Sequence, residues 1–287
     1  MAPTPDTHRN PCIRFDLLGD IAVRVAYENR FSELEPLLAR VEKPTRYINH
    51  EWGALYKPEA EHRCALIYPD VYEVGLPNQG IAILYRNLNE AEGLSCERGY
   101  IPWVDMADEM RAAGIPLLSL EGAAPIASFD VVGFHVPHEM ACTNYLEGLD
   151  LAGIPLHAAD RGEDDPIVIC GGPSVYTPEP LAPFFDCMMI GEGEEQIVEF
   201  CQRHRELRDA GASRHEMLRE LSKIGGVYVP SLYEVRHDEP CSPHGYTVPR
   251  EGEDVQPVVY KRVVKDFGAT NPVPQAVVPY MQTVSYT

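Results

Sequence analysis

The sequence predicts an α/β fold: a doubly wound, parallel, five-stranded sheet, with a helical arm before it and a small α+β extension after it. Three observations carry this. Short apolar runs that suit buried strands alternate with runs whose apolar residues recur at helical spacing. Glycines gather in the segments that follow the strand-like runs. The chain has 287 residues, enough for one full α/β domain with additional segments.

The chain divides into three regions. Residues 1–62 read as an arm with one helix, in which Phe31, Leu34, Leu37, Leu38 and Val41 share a face and Pro44 is the stop. The stretch RYINHEWGALYK, with Tyr47, Trp52 and Tyr56, reads as an extended piece that packs on a neighbouring domain. Residues 63–212 form the α/β domain. Its strands are read at RCALIY, SCERGYIPW, DVVGFHV, DPIVICGG and DCMMIG, with PLLSL as a further short extended piece. Its helices are marked by Ile81, Leu84, Tyr85 and Leu88, by VDMADEMRAA closed by Gly114, by Ala141, Tyr145, Leu149 and Ala152, and by GEEQIVEFCQRHREL with Ile197, Val198 and Cys201 inward. Residues 213–287 carry a helix, SRHEMLRELSKI, ended by Gly225–Gly226. Two strand-like runs follow, GVYVPSLYEV and PVVYKRVV, separated by a polar stretch, and then a Pro-rich tail that reads as a linker.

Lys plus Arg total 24 and Asp plus Glu total 44, a net charge of −20. Such a chain repels phosphate backbones and anionic membranes, so direct nucleic-acid or membrane binding by this segment is not expected. No apolar run approaches the roughly 20 residues that span a bilayer, and MAPTPDTHRNPC lacks a secretory pattern. The expected location is the cytoplasm. The eight cysteines, Cys12, Cys64, Cys96, Cys142, Cys170, Cys187, Cys201 and Cys241, stand singly with no CxxC or CxxxCxxC spacing. They read as small buried residues in a reducing compartment, and no iron–sulfur cluster is expected from them.

Ligands of open parallel sheets bind at the carboxyl ends of the strands, where strand order reverses. The loops there carry Asp70, Tyr72 and Gly75 after the first strand and His135 and Val136 after the third. They carry Gly171, Gly172 and Pro173 after the fourth, and Gly191, Glu192 and Gly193 after the fifth. Glycine lets a backbone approach a flat ligand, since no Cβ intervenes. Asp70 and Glu73 in the first loop, and the acidic GEGEE after the fifth strand, disfavour a nucleotide or flavin phosphate. A phosphoacceptor receiver is excluded by His135 and Glu192 at the places that need Asp and Lys. Glu194 and Glu195 read as first-turn carboxylates that offset the helix dipole, whereas Glu192 suits accepting hydrogen bonds from a ribose or an amide. His135, His138, Glu139 and Cys142 are close enough in sequence to be weighed as zinc ligands, but loop packing is the more usual fate of such a set, and no metal site is expected. No catalytic residue is assigned. No Ser–His–Asp set or Gly-x-Ser-x-Gly elbow occurs, and Asp130 and Asp165 fall at the wrong end of the sheet.

These loops resemble the cobalamin-binding fold, a flavodoxin-like arrangement. Asp70, Tyr72 and Gly75 match its Asp-x-His-x-x-Gly motif, with Tyr in the place of His, and Gly171–Gly172 match its Gly-Gly. His135-Val136-Pro137 departs from its Ser-x-Leu segment. The resemblance implies a cobalamin held without protein imidazole below the cobalt, or a fold that has lost the ligand. From about residue 36 onward the chain also resembles radical SAM (S-adenosylmethionine) proteins that carry a cobalamin-binding-type domain in front. The phrases that carry this are ALIYPDVYEVGLPNQGIAILYRNLNE, FDVVGFHVPHEMACTNYLEGLDLAGIPLHAADR and, most specifically, GGPSVYTPEPLAPFFD followed by GEGEE. The resemblance implies a downstream radical SAM barrel as partner, with its CxxxCxxC-bound [4Fe–4S] cluster and SAM in that domain. This segment lacks that motif, so it reads as cut off before it and not catalytic alone. Two functional readings remain: a cobalamin-holding module whose parent enzyme does methyl transfer or other radical chemistry, and a degenerate module that only positions a substrate or partner.

Overall fold

The computed structural model describes residues 29–49, 51–237 and 245–266. Cys12, Cys241, the start of the arm and the Pro-rich tail, all read above, lie outside them. The elements are, in order, α1 (Phe31–Leu34), β1 (His62–Tyr68), α2 (Tyr72–Gly75), α3 (Gln79–Glu90), β2 (Leu94–Tyr100), α4 (Val104–Ala113), β3 (Val131–His135), α5 (Cys142–Ala152), β4 (Ile167–Gly171), β5 (Cys187–Met189), α6 (Gly193–Asp209), α7 (Arg214–Leu221), β6 (Val227–Tyr228), β7 (Tyr233–His237) and β8 (Gly245–Pro249).

The main sheet has six strands in the order β2-β1-β3-β4-β5-β6. The first five are parallel, as expected, and β6 is added antiparallel to β5 through Met188↔Tyr228 and Met189↔Val227. The sequence reading placed GVYVPSLYEV, which holds β6, in the C-terminal extension; its two paired residues join it to this sheet through tertiary contacts. The order runs outward from β1 in both directions, so strand order reverses between β1 and β3.

Buried β-branched and aliphatic residues make the strands: Val131 and Val132 in β3, and Ile167, Val168 and Ile169 in β4, are all buried. Helices α4 and α5 end on Gly114 and Gly153, both at positive φ (68° and 71°), where glycine avoids the Cβ penalty. Helix α7 starts at a capping box in which Ser213 accepts from Glu216 N–H and the Glu216 carboxylate returns the bond. The core of the sheet continues without a break past residue 212, through Leu218, Leu221, Val227 and Leu232.

Two stretches of the arm differ from expectation. The single helix read over Phe31 to Val41 is instead a four-residue α1 followed by a 3-10 turn over Glu35–Arg40. Pro36 has no N–H to continue the α ladder. Leu34 and Leu37 still face inward and pack with Met106 and Met110 of α4 in a second apolar cluster. Residues Pro44–Tyr47 form another 3-10 turn, and the Tyr47 hydroxyl accepts from Trp103 N–H at 3.1 Å. The arm therefore lies on its own domain at Tyr47, while Trp52 is 91% exposed.

At the C-terminal side, GVYVPSLYEV supplies β6 and β7, but β7 pairs with β8 from the polar stretch, not with PVVYKRVV. That last run makes a single parallel bridge, Gly191↔Arg262. The described cysteines are free, and Cys64, Cys96, Cys170, Cys187 and Cys201 are buried. Among the described residues no helix is long and apolar enough to cross a membrane.

Candidate functional site

The register of the sheet shapes the site. Leu66, Gly133 and Ile169 stand side by side in one row across β1, β3 and β4. Gly133 has no side chain, so the row dips between its two neighbours. A Cβ there would lie 3.1 Å from Leu66 Cδ2 and 3.3 Å from Ile169 Cγ1. Helices α3 and α6 lie over this face of the sheet. Their first turns, with Gly80, Ile81 and Leu84 from α3 and Gly193, Glu194 and Ile197 from α6, wall a slot of about 400 Å³ above the dip. The slot opens at the carboxyl ends of β1, β3, β4 and β5, at the reversal of strand order. Its volume falls in the usual range of small-ligand pockets, about 300–1,000 Å³.

The walls are mainly apolar, and the polar groups sit at the mouth. His135 lines it, stacked on Tyr68 at 5.5 Å between ring centres, with Nε2 3.4 Å from Asn78 Nδ2. Burial lowers the pKa of His135 from its ordinary 6.5, which favours the neutral imidazole. Asn78 caps α3 by accepting from Ile81 N–H at 2.9 Å. Glu192 and Glu194 are the carboxylates, and among the described residues no Lys or Arg lines the slot. One oxygen of Glu194, Oε2, is buried without a hydrogen-bond partner among the described residues.

Of the loop residues singled out from sequence, the fold gathers His135, Gly171, Gly172, Pro173, Gly191, Glu192 and Gly193 around the slot. Gly172 has φ +130°, and a Cβ there would strike the Val136 carbonyl oxygen at 2.7 Å. It lets the β3 and β4 loops touch, and Val136 N–H donates to Gly171 O at 2.7 Å. Val136 itself is fully buried beneath the mouth. Gly191, at φ +114°, faces the Arg262 backbone, where a Cβ would lie 2.2 Å from the carbonyl oxygen.

The first-loop residues lie elsewhere. Asp70 accepts from Val71 N–H at 2.7 Å and, through its carbonyl, from Ile101 N–H at 3.1 Å. Gly75 is pressed between Tyr100 and Tyr68, with a Cβ position 2.6 Å from Tyr100 Cε1. Tyr72 stacks edge to face on Tyr100 at 5.3 Å and donates its hydroxyl to Glu51 of the arm. Burial, then the bond to Glu51, pushes its pKa well up, so the phenol stays protonated. Glu51 also pairs with the buried Arg98, which is held by Glu121 at 2.7 Å. None of the three lines the slot. Among the described residues no group of three His, Cys, Asp or Glu side chains is placed to hold a metal, the cluster around His135 and Cys142 included.

The sequence reading missed the slot's floor and walls. Gly133, inside an otherwise apolar strand, was the available signal, since glycine in a strand interior marks a close approach or a gap. Leu84 and Ile197 were read as helix markers only.

The family described as radical SAM proteins, N-terminal, matches residues 80–230, more than half of the chain. The chain belongs to this family. The matched span covers α3, which walls the slot, and runs through all later elements up to β6. No curated protein matches this radical SAM N-terminal domain. A solved structure that resembles it is the radical S-adenosylmethionine methyltransferase TsrM from Kitasatospora setae, with tryptophan substrate and the SAM analogue aza-SAM bound. The identity is 16% and the TM-score 0.37, over 58% of this chain and 28% of that one.

Proposed function

We propose that this radical SAM N-terminal domain is a cofactor-holding module, and that the slot takes the nucleotide tail of a cobalamin. The observation that carries the reading is the dip at Gly133, roofed by α3 and α6 and open at the strand-order reversal. A slot of about 400 Å³ suits a flat base and its sugar, and is too small for a whole corrin. His135, the Gly171–Gly172 loop and Glu192, at the mouth, are the residues that would hold the rest of the cofactor. Tyr72 is committed to Glu51, so its hydroxyl would not hold the cofactor. When bound, cobalamin supplies methyl-transfer or related radical chemistry to a downstream barrel that would hold SAM and the [4Fe–4S] cluster. That barrel, in the same polypeptide, is the partner this reading implies. Exposed apolar residues on the carboxyl-side loops, Val74, Trp103, Val104, Met140 and Tyr176, suit such a neighbour. The parent reaction in this reading is methyl transfer or other radical chemistry, and no nucleic acid or membrane enters the reading.

The test is incubation of the chain with hydroxocobalamin, desalting, and an absorption spectrum. Retained corrin absorbance at a stoichiometry near one is the expected result. A colourless protein would favour the second reading, a degenerate module that positions substrate or partner, for which the engagement of Tyr72 with Glu51 is the supporting observation.

A further inference from the structure

The electrostatics of the slot select among ligands. Among the described residues its charged lining is acidic only, from Glu192 and Glu194. The Arg262 guanidinium, on the strap behind the Glu192 loop, is taken up by Glu199 at 3.1 Å and Glu195 at 3.5 Å. Two helix N-termini reach the mouth, and bare N-termini attract anions. Here both are answered from within. Asn78 accepts from the Ile81 N–H in the first turn of α3, and Glu194 and Glu195 stand in the first turn of α6. A phosphate in the slot would meet two carboxylates and no counter-charge, in surroundings less polar than water. A neutral or cationic donor would meet acceptors. Glu194 Oε2, buried with no partner among the described residues, lacks such a donor, and an unpaired buried carboxylate oxygen is costly.

We infer that the slot is specific for a flat heterocyclic nucleoside, neutral or cationic, whose N–H and O–H groups face Glu194 and Glu192, and that it rejects the corresponding phosphate ester. This rests on the same premise as the cobalamin reading, that the slot is the ligand site. It adds that only a base and sugar enter, with any phosphodiester left outside the rim.

The probes are adenosine and adenosine 5′-monophosphate, titrated separately into the full chain at low salt by ligand-observed NMR, with hydroxocobalamin in a parallel experiment. Adenosine should bind at least about tenfold more tightly than the monophosphate, a difference of about 1.4 kcal/mol. Glu194→Gln should shrink that gap by relieving the repulsion. If this variant does not fold, raising the salt with the wild-type chain should shrink the gap in the same way. Leu84→Trp, which fills the slot, should abolish adenosine binding. The inference is overturned if the monophosphate binds as well as adenosine, if neither binds, or if Leu84→Trp leaves adenosine binding unchanged. Adenosine binding with no hydroxocobalamin uptake would leave this inference standing and remove the cobalamin reading alone.

Discussion

Arg63 and Glu97 are each 1% exposed, yet they carry opposite charges inside the sheet. On the carboxylate side the remaining hydrogen-bonding capacity is used. Glu97 also accepts from Ser119 Oγ at 2.6 Å and Gly122 N–H at 2.9 Å, and the Arg63 guanidinium lies 4.4 Å from the Phe129 ring centre. Removing one partner strands the other. Arg63→Met should therefore lower unfolding free energy in urea by about 3–5 kcal/mol, and the double variant with Glu97→Gln should recover part of that loss. A loss under about 1 kcal/mol would show the pair to be solvated in solution. His135 gives a pH dependence. Its pKa falls below 6.5 in the folded chain, so between the folded and unfolded values the unfolded chain binds more protons. Stability should rise with pH through that window and fall as pH drops below about 6.5, and His135→Gln should flatten the slope there. The departure at Tyr72 was visible in the sequence, but its partner was not. Glu51 meets it across 21 residues of chain, along a path set by tertiary contacts.

At the scale of elements, the segment around Arg262 shows how a strand-like sequence becomes a strap. Arg262 N–H donates to Ile190 O at 2.9 Å, its carbonyl accepts from Glu192 N–H at 3.1 Å, and the Glu192 carboxylate accepts from Val264 N–H. The same loop that walls the slot is thus fastened from behind. Gly191→Ala would put a Cβ 2.2 Å from the Arg262 carbonyl oxygen, at a φ of +114°. It should cost about 1–3 kcal/mol and speed hydrogen exchange at the amides of Arg262 and Val264. Unchanged exchange there would contradict the strap. The five parallel strands and four main helices of the domain were legible because the strands are short apolar runs, the helices show helical spacing, and a Gly or Pro follows each closely. β8 was not, since its residues are half or fully exposed and pair only through the partner β7. Pro36, which cut the first helix short, was in plain view and outweighed the spacing of five apolar residues.

Across the whole molecule, the features of the candidate site gather at the carboxyl edge of the sheet. The slot opens there, most of the glycine-bearing loops meet there, and the loops around the mouth carry exposed apolar side chains, with Met140 at 88%. The reversal of strand order that locates this edge could be inferred from alternation alone. The depth of the slot could not, because it depends on Gly133 aligning with Leu66 and Ile169 in the sheet register. The central claim is that the slot receives the nucleotide tail and the corrin stays outside. The most direct measurement compares hydroxocobalamin with cobinamide, the corrin that lacks this tail, by titration calorimetry on the full chain. The account predicts binding of hydroxocobalamin and none, or at least about a hundredfold less, for cobinamide, close to 2.7 kcal/mol. Equal affinity for the two corrins would contradict it.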